Sequence, residues 1–190
     1  MQRREFMKSV AGSALLWKVP ALRALQASPT PAPDPGVKRV LVMFKCHFDA
    51  GFVDTQAAIV RRYFTEYFPR AIDLASQLRH SGKERYVWTT GSWLLYEYLE
   101  QAMPAERRRM ENAISAGDIA WHALPFTWQT ELMDASMISG GIGLSRALDL
   151  RFGKMTTGAK MTDVPGHTRG LIAPLAALGV AAALGLVGLV

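Results

Sequence analysis

The sequence predicts an α/β fold in which parallel strands alternate with helices. Val37 to Phe44 reads as a first strand, and its stretch Val40-Leu-Val-Met-Phe44 is apolar on both faces, the habit of a parallel strand covered by helices. Strand-like runs recur at Tyr86–Thr90, Asp118–His122 and Thr157–Met161, each separated from the next by segments of helical periodicity. No internal repeat appears, and this rhythm fits either an open sheet or a barrel.

Taken in order, the chain starts with Arg3-Arg-Glu-Phe-Met-Lys8, the modest apolar run Val10 to Val19, and Leu25-Gln-Ala27. A charged start, a short apolar run and a small residue make a secretory signal over residues 1–27. The Arg-Arg-x-Phe-Met-Lys order resembles the bacterial twin-arginine signal, which implies the twin-arginine export machinery as a partner and a periplasmic or extracellular destination. Residues 28–36, Ser-Pro-Thr-Pro-Ala-Pro-Asp-Pro-Gly, form a proline-rich linker, so the domain is expected over 37–180. After the first strand and the Ala50–Asp54 loop, Asp54 or Thr55 can cap a helix carrying Ile59, Tyr63, Phe64 and Tyr67 on one face. Pro69 kinks that helix or opens a second segment reaching about Leu78, and Ser81-Gly82 ends it. Ser92 to Glu100 and Pro104 to Ser115 are expected helices, and Arg107-Arg-Arg109 reads as a solvated face near Glu106 and Glu111. A further helix is expected from Glu131 to Leu150, weakened by Gly140, Gly141 and Gly143, and another from about Thr168 to Val180. Residues 181–190 read as an apolar, low-complexity tail without structure.

The formal charge of +6 is not a nucleic-acid signal. The first 27 residues carry five of the Lys and Arg and one Glu, so the rest of the chain has 17 basic and 15 acidic residues. That balance, with no basic aromatic patch, excludes a phosphate-binding surface for nucleic acid. The one cysteine, Cys46, excludes an intrachain disulfide and is expected in the core.

Candidate chemistry gathers where strands end. Residues two apart on a strand point to the same side, so His47 and Asp49 converge at the carboxyl end of the first strand. Asp163 follows the fourth strand, and Glu131 and Asp134 follow the third. Sites in α/β sheets and barrels assemble at those carboxyl ends. One imidazole with two carboxylates suits a divalent cation, zinc first. Trp121, Phe126 and Trp128 are placed either to stack on a sugar ring or to fill the core. His80 is read as a helix-end cation, His122 as a pocket or structural residue, and His167 as support for the Asp163 turn.

These residues resemble a known family. His47-Phe-Asp49-Ala-Gly51-Phe is similar to the opening His-x-Asp-x-Gly-Trp motif of glycoside hydrolase family 38, the α-mannosidases, with Phe52 in place of the tryptophan. Met161-Thr-Asp163-Val-Pro-Gly166-His167 resembles its second motif, an Asp before Pro-Phe-Gly-His, with Val164-Pro165 in place of Pro-Phe. Gly117-Asp-Ile-Ala-Trp-His122 through Trp128-Gln-Thr-Glu131-Leu-Met-Asp134 resembles the segment that lines the sugar pocket. The resemblance covers about residues 37 to 180. It implies a seven-stranded (β/α) barrel, incomplete in this chain, and a zinc ion held by His47, Asp49 and Asp163. Asp163 would also be the nucleophile of a retaining hydrolysis of a carbohydrate substrate. The family's general acid and its fourth ligand, a histidine, fall beyond residue 190.

The expectation is therefore an exported α-mannosidase-type glycosidase, present as the first part of its barrel domain. Two alternatives stay open. One is a membrane-anchored, non-catalytic carbohydrate-binding protein, because Gly170 to Val190 carry no charge and are long enough to span a bilayer. Pro174, the glycines and the alanines make that stretch only weakly hydrophobic. The other is a different metal-dependent hydrolase, such as a sugar deacetylase, whose usual Asp-Asp and His-x3-His motifs are missing here.

Overall fold

In the computed structural model the described residues are 35–38, 44–82, 84–164 and 167–185. The expected signal, and the linker except for an exposed turn at Pro35-Gly36, lie outside them. A compact unit runs from Val42 to Val190. It is a mixed α/β structure whose strands all pair in parallel and whose sheets do not close into a barrel among the described residues.

Of the expected first strand, the described residues include β1 (Phe44–Lys45). Val37 and Lys38 lie outside it and exposed, and 39–43 lie outside the described residues. Thr55, not Asp54, caps the next helix: its hydroxyl accepts from Ala58 N at 3.3 Å. Helix α1 (Gln56–Arg62) then widens into a π turn at Tyr63–Tyr67, where Phe68 N donates to Tyr63 O. Pro69 explains the widening. In a continuous α-helix its ring would press on the carbonyl of Thr65, four residues back, and it brings no N–H. Helix α2 (Phe68–Ser81) follows with Pro69 in its first turn and ends at Gly82, whose φ of 68° is the left-handed conformation a helix end favours.

β2 (Trp88–Gly91) lies beside β1 with Phe44 opposite Trp88, and β3 (Ile119–His122) lies beside β2 with Gly91 opposite His122. Helices α3 (Ser92–Gln101) and α4 (Pro104–Ala116) connect these two strands. α3 has no side-chain cap. Its first free N–H groups are met instead by the loop after β3: Ser92 N donates to Leu124 O at 3.0 Å and Trp93 N to Pro125 O at 3.2 Å. α4 opens on Pro104, and the carboxylate of Glu106 accepts from Met103 N at 3.3 Å.

Helix α5 (Ala135–Phe152) starts later than expected, because Thr130–Leu132 form a separate 3-10 turn. β4 (Gly158–Met161) pairs with β5 (Ala182–Gly185), so the first half of the tail expected to lack structure contains a strand, while 186–190 lie outside the described residues. A 3-10 turn at Arg169–Leu171 and the short helix α6 (Ile172–Ala177) lie between them. The described part of the apolar end, Gly170 to Gly185, thus holds a helix and a strand, and no helix among the described residues is long and apolar enough to cross a membrane. One bond, Ala123 N to Gly158 O at 2.9 Å, joins β3 to β4 across the two sheets.

Two apolar clusters fill the unit. The first gathers Ile59, Phe68, Leu95, Leu99, Met110 and Ile114 around β2 and β3, and the second gathers Leu124, Trp128, Ile142, Ala159, Met161 and Leu175 around β4. Each fully buried Leu, Ile or Phe contributes about 1.5–3 kcal/mol. Asp118 is buried just before β3, where Arg79 donates to both its oxygens at 3.3 and 3.2 Å. Asp149, buried on α5, accepts from Trp121 Nε1, Thr156 N and Thr156 Oγ1 at 3.1, 2.9 and 2.7 Å, which satisfies it fully.

Candidate functional site

The carboxyl ends of β1 and β4 meet. His47 Nε2 lies 3.3 Å from Asp163 Oδ2, with the imidazole about two-fifths exposed and the carboxylate mostly exposed. Each arrives there for a local reason. Cys46 N donates to Thr89 O at 3.0 Å as the last rung beside β2, and the Cys46 thiol turns into the core to donate to Thr90 Oγ1 at 3.1 Å. Period-two alternation then turns His47 outward and Phe48 back against Tyr63 and Trp93. Asp163, two residues beyond β4, has φ 64° and is the one non-glycine residue with positive φ among the described residues. Asp and Asn tolerate this left-handed conformation better than other side chains, and such residues concentrate at functional sites.

Tyr63 supports the pair from behind. Its hydroxyl donates to the backbone carbonyl of His47 at 3.0 Å, from the π turn that Pro69 imposes. Burial, then the Cys46 thiol, the hydroxyl of Tyr67 and the charge of Asp49 push the Tyr63 hydroxyl well above the ordinary value of 10.0. Below pH 10 the folded and unfolded chains both keep this proton, so the stability it confers is fully present. Above pH 10 the unfolded chain ionises first and the fold weakens. Tyr63→Phe should therefore cost about 1 kcal/mol at neutral pH and make the loss of stability above about pH 10 shallower. Urea midpoints on either side of pH 10 measure both effects, and parallel declines in the two proteins would remove Tyr63 as the cause.

The other candidates are not joined to this pair. Asp49 is half-buried, its charge acts on Tyr63, and it makes no ion pair among the described residues. Trp128 is buried at 6% exposure in the second cluster, with its ring against Gly141, where an added Cβ would lie 2.3 Å from the indole. It packs the core. Glu131 is exposed on the 3-10 turn. Asp134 caps α5, accepting from Met137 N at 2.8 Å and Ser136 Oγ at 2.7 Å, and these bonds, the Ser136 one first, hold its carboxyl below the usual range. Of the histidines, His122 is buried and its Nδ1 accepts from Leu124 N at 3.3 Å, so it braces the loop after β3. His80 Nδ1 lies 2.6 Å from Ser76 O near the end of α2.

One residue that sequence reasoning missed ties the site together. Thr130 is completely buried, and its hydroxyl accepts from Thr168 N at 3.0 Å, which pins the loop after β3 to the loop after β4 that carries Asp163. Nothing in the sequence separates Thr130 from its polar neighbours.

An imidazole nitrogen facing a carboxylate oxygen is the donor chemistry of a zinc site. His47 and Asp163 fit two positions of such a site, and Asp49, from the same strand end as His47, is the candidate third. Among the described residues no three His, Cys, Asp or Glu side chains are grouped closely enough to hold an ion. No family model, curated protein or solved structure matches the chain.

Proposed function

We propose that this chain carries the metal site of a metal-assisted retaining glycosidase of the α-mannosidase type, exported through the twin-arginine pathway. His47 and Asp163 would hold a divalent ion, zinc first, with Asp49 as a third ligand, and Asp163 would attack the sugar. The observation that carries the reading is the meeting of His47 with Asp163. Strands in one sheet lie about 4.8 Å apart, so in a flat sheet β1 and β4, three places apart, would be separated by roughly 14 Å. Their side chains, each from two residues past its strand, come within 3.3 Å. That approach brings the ends of two separate sheets to one point and is compatible with a curved arrangement. The order agrees: β1, β2 and β3 are adjacent in sequence order, β4 and β5 likewise, with no strand skipped. A doubly wound sheet reverses its order at a switch point, whereas a barrel runs straight round. These features support an arc of the seven-stranded (β/α) barrel that the sequence resemblance implies.

A bound divalent ion would orient sugar hydroxyls and stabilise charge developing beside Asp163. The protein's own residues supply the rest of the arrangement. The Tyr63 hydroxyl fixes the backbone of His47, and the left-handed turn presents the Asp163 carboxylate to solvent at the mouth. Among the described residues no carboxyl group at the mouth is placed as the general acid, since Asp134 is committed to its helix cap and Glu131 makes no contact with the pair.

Zinc binding by the purified full chain tests the proposal. The wild type should take up about one ion, and His47→Ala should bind it at least about tenfold more weakly. Equal zinc affinity in the two proteins would overturn the site.

A further inference from the structure

We propose that a groove between α2 and α4, at the end of the sheet opposite His47 and Asp163, binds a small molecule bearing an oxyanion, a phosphate or a carboxylate. The groove encloses about 480 Å³, the size of a small-ligand pocket. Its position follows from Asp118, which lines it and immediately precedes β3, so it lies at the amino ends of the strands, while His47 and Asp163 follow strands.

The charges inside do not cancel. Asp118 is buried and both its oxygens are taken by Arg79. Asp73 is taken by Arg109, whose guanidinium also donates to Pro69 O at 3.3 Å. Two carboxylates thus account for two guanidiniums. The third, Arg108, is exposed and has no ion pair or hydrogen bond among the described residues. Arg79 uses Nε and Nη2 on Asp118, which leaves its Nη1 without a partner among the described residues. Asn112 and Ser76 line the same groove and add an amide donor and a hydroxyl. One uncompensated cation beside the Arg79 Nη1 and the Asn112 amide, with the Ser76 hydroxyl already 3.4 Å from His80 Nδ1, is the recognition chemistry of a single oxyanion, which arginine binds through two parallel N–H bonds. A polyanion such as nucleic acid fits poorly. It needs a longer basic stripe and bases to stack on, and no aromatic residue lines this groove.

Arg108 is the residue to change, because no ion pair or hydrogen bond among the described residues depends on it. Inorganic phosphate and acetate, titrated separately into the full chain at low salt, should each shift the Arg108 and Arg79 Nε–Hε signals saturably if both oxyanions fit, and whichever saturates at the lower concentration identifies the ligand's group. Arg108→Gln should keep the wild-type melting temperature and weaken that binding about fivefold to tenfold. Absence of saturable shifts with both anions, or an unchanged midpoint in Arg108→Gln, would overturn the proposal. The zinc measurement on His47→Ala is independent of this groove, so either result can fail alone.

Discussion

Gly91→Ala should destabilise the protein by about 3 kcal/mol or more, lowering its melting temperature by roughly 10 °C for a chain of this size. A Cβ at Gly91 would lie 2.2 Å from Pro125 O, 2.9 Å from Pro125 C and 3.3 Å from Phe126 Cα. All three are backbone atoms, so no side chain can rotate out of the way. The loop after β3 would have to move as a body. Moving it breaks the bonds that cap α3, Ser92 N to Leu124 O and Trp93 N to Pro125 O, each worth about 1 kcal/mol. It also draws on Trp128 and on the Thr130 tie to the Asp163 loop. Gly140→Ala is the matched control. Nothing lies within 4 Å of its Cβ, and it sits inside α5, so alanine there should add up to about 1 kcal/mol. Thermal melts of the two variants should shift in opposite directions. A Gly91→Ala melt within about 3 °C of wild type would show that the loop yields at little cost.

The contrast between these glycines marks what a sequence can and cannot reveal. Elements held by local chemistry were legible. Thr55 as a cap, Pro69 as a disturbance in the helix, Gly82 as a helix end, and the strand–helix alternation all follow from interactions within a few residues. Gly91 reads as an ordinary glycine at a strand end until its neighbour across space, the Pro125 carbonyl, is known. Trp128 stays undecided in the sequence for the same reason. An aromatic residue near a strand end suits a sugar platform or a core equally, and only the bare Gly141 opposite makes it core. The strand at Ala182–Gly185 has no sequence signal because short runs of small apolar residues carry no periodicity, and β5 exists by virtue of its register with β4. The site was half legible. His47 and Asp163 come together, yet neither the Thr130 tie nor the Tyr63 prop that places them leaves a mark in the sequence.

Asp163→Asn should abolish hydrolysis without weakening the fold, and that combination separates a chemical role from a structural one. Three facts set the stability side. Asp163 is mostly exposed, its partner His47 is also partly exposed, and an ion pair in that setting contributes about 1 kcal/mol or less. Its φ of 64° costs an ordinary L-residue about 1–2 kcal/mol, a cost that Asn bears nearly as well as Asp and that glycine escapes. Stability should therefore rank Asp163→Gly at or above Asp163→Asn, with Asp163→Ala lowest. Asparagine keeps the shape but supplies no nucleophilic carboxylate, and it would bind the proposed ion without a charge. An aryl mannoside with a strongly acidic phenol as leaving group is the substrate to use, because its departure needs little protonation and so does not depend on the general acid. Any hydrolysis the full chain shows on it should fall about a thousandfold or more in Asp163→Asn, the scale of losing a nucleophile. Hydrolysis that persists in Asp163→Asn would remove Asp163 as the attacking group. A melting temperature that falls as far in Asp163→Asn as in Asp163→Ala would mean that the left-handed turn is held by the carboxylate for stability, not kept for chemistry.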